Sequence, residues 1–127
     1  MPVITALYAG LLGLMSIAIA FKAGSLRGKL GISIGHGDNM DLLLAMRRQA
    51  NFVEYVPLAL LLIALLEMNG IPKLAVHGLG ASLVVFRACH AVGMRADNMS
   101  GAGRFVGSAG TALLTVIVSI WAIVVFF

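Results

Sequence analysis

Apolar and polar positions fall along this chain in long blocks, with neither the one-sided stripe of a soluble helix nor the alternation of a half-buried strand. Residues 2–21, 41–68, 72–94 and 104–127 are each apolar runs of spanning length, since crossing a hydrocarbon core takes about 20 residues at 1.5 Å rise. The pattern predicts an all-α fold, an integral membrane four-helix bundle forming a single domain over residues 1–127. In the first run Gly10 and Gly13 are spaced as small residues that let another helix approach closely. That run has no Lys or Arg before Lys22, whereas a secretory signal has a basic start and a shorter apolar core, so the expectation is that it stays in the mature protein. Residues 22–40 hold five glycines together with Lys22, Arg27 and Lys29, and are expected to form a polar connecting loop.

The second run is apolar enough to span yet carries charge inside. At 100° per residue, Arg47, Asn51 and Glu54 fall at i, i+4 and i+7, within one stripe. An ionisable group near the bilayer midplane costs about 2.5 to 3.5 kcal/mol on insertion scales, so the stripe is expected to face protein or a wet cavity. Glu54 lies about 10 Å along the helix from Arg47. Pro57 cannot donate to the carbonyl of Val53, and a kink is expected just beyond the stripe. Arg48, off the stripe, reads as a snorkelling or interface residue. The third run holds Arg87 and His90 at i, i+3, with Met94 on the same face; antiparallel to the second, it brings these to the depth of Arg47 through Glu54. His77 stands alone near the other end and reads as interfacial. In the fourth run Arg104 stands at the mouth, Gly107 and Gly110 allow close helix contact, and Trp121 lies toward the opposite interface.

Composition agrees with the pattern. Hydrophobic residues make up 61% of the chain and mean hydropathy is +1.03, far from the soluble average. The formal charge of +4 reads as topology rather than as a nucleic-acid footprint. Lys22, Arg27 and Lys29 put the first connection on the cytoplasmic side, with one Lys in the second connection and Arg95 and Arg104 about the third; an N-out, C-out arrangement follows. Cys89 is the only cysteine, so no disulfide forms within the chain, and the three histidines are too scattered for a zinc motif.

Arginine binds carboxylates bidentately and keeps its charge, so guanidinium groups at a membrane interface suit an anionic ligand. Glu54 adds an acceptor for an ammonium or amide, and Asn51 both donor and acceptor. Such a set fits a small zwitterion with several carboxylates, beside a lipid-accessible place for an apolar second reactant. The structural alternative is a buried ion-pair network of Arg47, Glu54 and Arg87 that only holds helices together.

The segment RRQANFVEYVP, with Arg47, Asn51, Glu54, Tyr55 and Pro57, resembles the signature of the MAPEG family, the membrane-associated proteins in eicosanoid and glutathione metabolism. The likeness extends through His36-Gly37-Asp38, the FRACHAVG segment and Arg104-Phe105-Val106-Gly107, and is greatest to the short bacterial members. It implies a homotrimer in the bacterial inner membrane, with glutathione as co-substrate bound between neighbouring subunits. Arg47, Asn51, Glu54, Tyr55, Arg87 and His90 would then bind glutathione, and Arg104 would face its sulfur. A guanidinium there lowers the thiol pKa and stabilises the thiolate nucleophile. Where eicosanoid-synthesising members have a tyrosine seven residues after the third-span arginine, this chain has Met94. That departure favours a broad transferase acting on lipophilic electrophiles, with lipid hydroperoxide reduction as a second activity.

Two other classes compete with that reading. A proton-coupled multidrug transporter would use Glu54 for exchange, but the nearby arginines repel a cationic substrate and hold a carboxylate ionised. A non-catalytic glutathione-binding protein would bind the tripeptide without forming thiolate. The topology has a direct check: a reporter fused after Phe127 is expected to be active on the outer face, and cytoplasmic activity would overturn the N-out, C-out arrangement.

Overall fold

A computed structural model describes residues 1–95 and 101–127. Four helices account for nearly all of them: α1 (Val3–Leu30), α2 (Met40–Met68), α3 (Lys73–Gly93) and α4 (Ala102–Val124). Each is long and apolar enough to cross a membrane. The third connection, expected over residues 95–103, lies in part outside the described residues.

The first connection differs from expectation. α1 does not stop at Phe21 but continues through Lys22 to Leu30, well into the segment read as loop. Gly24 and Gly28 each cost a helix about 1 kcal/mol relative to Ala, which is why the segment looks irregular in sequence. Packing outweighs that cost: Ala23 is buried, and Arg27 and Lys29 fall in the last turn, where cations oppose the helix dipole. The helix ends at Gly31, whose φ of 67° lies in the left-handed region that only glycine enters without penalty. The true connection runs over residues 31–39. Asn39 then caps α2, its side-chain oxygen accepting from the Leu42 N–H at 3.0 Å.

α1 packs chiefly on α2, and α3 chiefly on α4; α2 and α3 link the two pairs, and α1 and α4 stand diagonally apart. The core is a column of apolar side chains: Leu12 and Ile19 from α1, Phe52, Val56, Ala59 and Ile63 from α2, Val76 and Leu83 from α3, Leu114 and Val118 from α4. The outward faces are apolar too. Leu14, Ile17, Leu58, Leu61, Leu113 and Ile120 are all more than half exposed. A helix that is hydrophobic on every side belongs in lipid, and the chain is a multi-pass integral membrane protein.

Polar ties set the register. The first N–H groups of a helix have no partner within it, and Pro2 offers α1 no side-chain cap. Glu67, at the far end of α2, fills that role: its carboxylate accepts from the backbone N–H groups of Ile4 (2.9 Å) and Thr5 (2.8 Å) and from the Thr5 hydroxyl (2.6 Å). An anion there also meets the positive end of the helix dipole. His77 is not alone, as the sequence suggested. Its Nδ1 lies 2.9 Å from the Tyr8 hydroxyl and the rings meet edge to face. The Tyr8 ring occupies the space that a Cβ on Gly80 would fill, so α1 and α3 can approach only over a glycine.

The glycines expected to bring helices together divide by helix. A Cβ on Gly107 would stand 2.5 Å from the His90 nitrogen, and one on Gly110 2.6 Å from the Phe86 ring, so α3 and α4 meet backbone to backbone. A Cβ on Gly10 or Gly13, by contrast, would meet no described atom of another helix within 4 Å.

Candidate functional site

The α2 stripe is real, and its members face different neighbours. Asn51 is half-buried against the bundle, while Arg47, Glu54 and Tyr55 are exposed on the single subunit. Arg87 of α3 is 1% exposed. Its guanidinium forks: Nη1 donates to Asn51 Oδ1 at 2.8 Å, and Nη2 donates to the Gly107 carbonyl at 3.0 Å. That carbonyl also accepts from the Thr111 hydroxyl at 2.7 Å. The close α3–α4 approach at Gly107 is therefore what brings a backbone acceptor within reach of Arg87. Among the described residues, Arg47 and Glu54 make no ion pair within the chain. The buried network of Arg47, Glu54 and Arg87 is thus not how these helices are held; a single arginine pairs with neutral oxygens instead.

Arg47 and Asn51 of α2, His90 and Met94 from the end of α3, and Arg104 and Ser108 of α4 line one cleft of about 330 Å³, closed by Met40, Leu43 and Leu44. Its volume is at the lower end of the range for small-molecule sites, about 300 to 1,000 Å³. Arg104 stands in the first turn of α4, where the Ser108 hydroxyl donates back to its carbonyl at 2.9 Å. His90 is buried. Of the residues singled out in the sequence, Arg47, Asn51, His90 and Arg104 are thus brought together at the cleft, and Arg87 lies behind it, holding Asn51. Glu54 and Tyr55 do not line it. They stand about one to two turns further along α2 on the outer face.

Two arginines have roles that the sequence did not disclose. Arg48, expected to snorkel, is half-buried and donates through Nη2 to the Met94 carbonyl at the end of α3. It supplies the basic partner that a helix C-terminus favours. Its Nε, like that of Arg87, is buried without a hydrogen-bond partner among the described residues. Arg27 gathers the turn after α1: its Nη1 donates to the carbonyls of Ile32 (3.3 Å), Ser33 (3.2 Å) and Gly35 (2.9 Å), and Nη2 reaches the Met46 sulfur at 3.2 Å. This clamp fixes the path into α2, and so the height at which Arg47 and Asn51 enter the cleft.

The Arg87 fork has a measurable consequence. Arg87→Lys keeps the charge but cannot span two acceptors in fixed directions. Thermal unfolding in detergent is expected to show a loss of about 2 kcal/mol, the scale of a hydrogen bond to a charged group. Unchanged stability would mean the fork carries no load.

Comparison with known proteins bears on the same residues. The family model described as "MAPEG family" matches residues 5–124. The chain is 36% identical over 90 residues to the inner membrane protein YecN of Escherichia coli K12, covering 71% of this chain and 69% of that protein. The same identity and coverage hold for YecN of Escherichia coli O6:H1. No solved structure gives a significant match. With the family model matching residues of all four helices, from 5 to 124, the chain belongs to the MAPEG family.

Proposed function

We propose that this protein is a membrane-bound glutathione transferase that joins the glutathione thiolate to lipophilic electrophiles, working as a homotrimer in a bacterial inner membrane. The observation that carries this reading is the convergence of Arg47, Asn51, His90 and Arg104 on one cleft. Arg47 supplies a fixed cation for a carboxylate of the tripeptide, and Asn51, oriented by Arg87, presents its amide. Arg104 stands at the mouth of α4 to hold the sulfur as thiolate. In the reaction the sulfur pair forms a bond to the electrophilic carbon, and the acceptor's own electrons leave with its leaving group or take up a proton. The bilayer brings the apolar reactant to the same place, so proximity and thiolate stabilisation supply the rate.

The exposure of Glu54 and Tyr55 supports the trimer. A carboxylate on the outer face of a spanning helix is costly against lipid, and a neighbouring subunit or a ligand held between subunits removes that cost. The 330 Å³ cleft of one subunit would then be completed by these residues and the adjacent chain. Met94 is buried at the cleft and offers no useful hydrogen bond. This favours broad transfer, with hydroperoxide reduction as a side activity, over a specialised synthase.

The test is the ultraviolet difference spectrum on adding glutathione to the purified protein and to Arg104→Ala. The expected result is a thiolate band at neutral pH in the wild type, lost in the variant while glutathione still binds. A band that persists without Arg104 would remove its assigned role, and binding without any band would leave a non-catalytic binder.

A further inference from the structure

Ser108 carries the one hydroxyl among the described residues that line the cleft, and the roles given above to Arg47, Asn51 and Arg104 leave it without a task. It follows Arg104 by four residues on α4, so the two stand about 6 Å apart along one helix face. Arg104 is exposed at the mouth, and Ser108 is half-buried one turn deeper.

What this hydroxyl can do depends on where its proton is spent. It donates to the Arg104 carbonyl at 2.9 Å. That carbonyl is also the acceptor for the Ser108 N–H in the regular helical ladder, so the hydroxyl is its second donor and can leave without orphaning it. Thr111 and Thr115 make the same bond to the carbonyl four residues back, at 2.7 and 2.8 Å, but neither lines the cleft. Ser108 therefore holds a proton that a stronger acceptor in the cleft can take by rotation about a single bond. A thiolate is such an acceptor, because a hydrogen bond with an ionised partner is roughly twice as strong as a neutral one. Met94, on the same cleft, has no proton to offer.

We propose that Ser108 is a further catalytic residue, its hydroxyl donating to the glutathione sulfur as the thiolate forms, so that the sulfur is held between Ser108 Oγ and the Arg104 guanidinium. This inference rests on the glutathione reading. The thiol proton leaves to solvent, and the hydroxyl keeps its own. Once the sulfur pair has bonded to the electrophilic carbon, the thioether is only a weak acceptor, and the hydroxyl returns to the Arg104 carbonyl. Ser108 thus acts on the anion alone, and its effect is on the population of thiolate.

The experiment follows the ultraviolet thiolate band of bound glutathione as a function of pH in wild type, Ser108→Ala and Ser108→Thr, with affinity measured by calorimetry at each pH. Alanine is the best helix former, so α4 is preserved in the first variant. A donor to the thiolate lowers the thiol pKa, and its removal raises it. Ser108→Ala is expected to move the midpoint up by about one pH unit, a tenfold loss of thiolate below it. Ser108→Thr, which keeps the hydroxyl, is expected to keep the wild-type midpoint. Affinity at low pH, where the bound thiol retains its proton, is expected to be equal in all three. A wild-type band with the same midpoint in Ser108→Ala would overturn the role of Ser108 and leave the glutathione reading standing. So would a loss of affinity equal at every pH, which marks a structural part only. No band in the wild type would remove the reading, and this inference with it.

Discussion

The Arg87 guanidinium, donating to Asn51 of α2 on one side and to the Gly107 carbonyl of α4 on the other, joins three helices at a depth where water does not compete for its hydrogen bonds. In hydrocarbon every polar group must find its partner inside the protein. Here that requirement organises the packing. Gly107 lacks a side chain, so α4 can lie directly against the backbone of α3 at His90. That approach exposes its carbonyl to Arg87, and Arg87 in turn fixes the orientation of Asn51. A side chain at position 107 would separate the helices and unmake the fork and the wall of the cleft together.

The same economy of partners appears at the opposite end of the bundle, where Glu67 satisfies the N-terminus of α1, and at the end of α3, where Arg48 satisfies the Met94 carbonyl. These ties explain how so apolar a molecule keeps a defined register, since packing of apolar side chains against one another is barely distinguishable from packing against lipid tails. Their arrangement also leaves two polar compartments near one end of the bundle, divided by Leu44 and Met94. One opens among α2, α3 and α4 and takes Arg47 and Asn51 of the α2 stripe; the other lies against α1, with Lys22, Asp41, Arg48 and Arg95 beside Leu26.

Much of this was legible in the sequence, and the reason is the hydrocarbon background. Arg47, Asn51, Glu54, Arg87, His90 and Arg104 stand out because a polar residue in a spanning run has few structural excuses, and helical periodicity alone brings the first three onto a stripe. Side chains that bond to backbone were not legible. Glu67 and Arg48 find their partners at backbone groups of Ile4, Thr5 and Met94, and a backbone N–H or C=O leaves no mark on residue type. Arg48 was further hidden by lying 100° from Arg47 on the helix, off the stripe. The end of α1 was missed because Gly24 and Gly28 look like loop, while the packing of Ala23 that overrides them depends on α1's neighbours. Glycine spacing was ambiguous in the same way: it marked a close contact correctly at Gly107 and Gly110, yet a Cβ on Gly10 or Gly13 would meet no described atom of another helix within 4 Å.

The central proposal is that the outer face of α2, with Arg104 of α4, binds a small anionic peptide. Titration calorimetry of glutathione into the solubilised protein addresses it most directly, with Arg47→Ala as the comparison. Arg47 is exposed and makes no ion pair among the described residues, so its removal leaves the bundle intact. Saturable binding that weakens about tenfold in the variant, as expected for the loss of a charged hydrogen bond, is the predicted result. Equal affinity in the two proteins, or no binding in either, would contradict it.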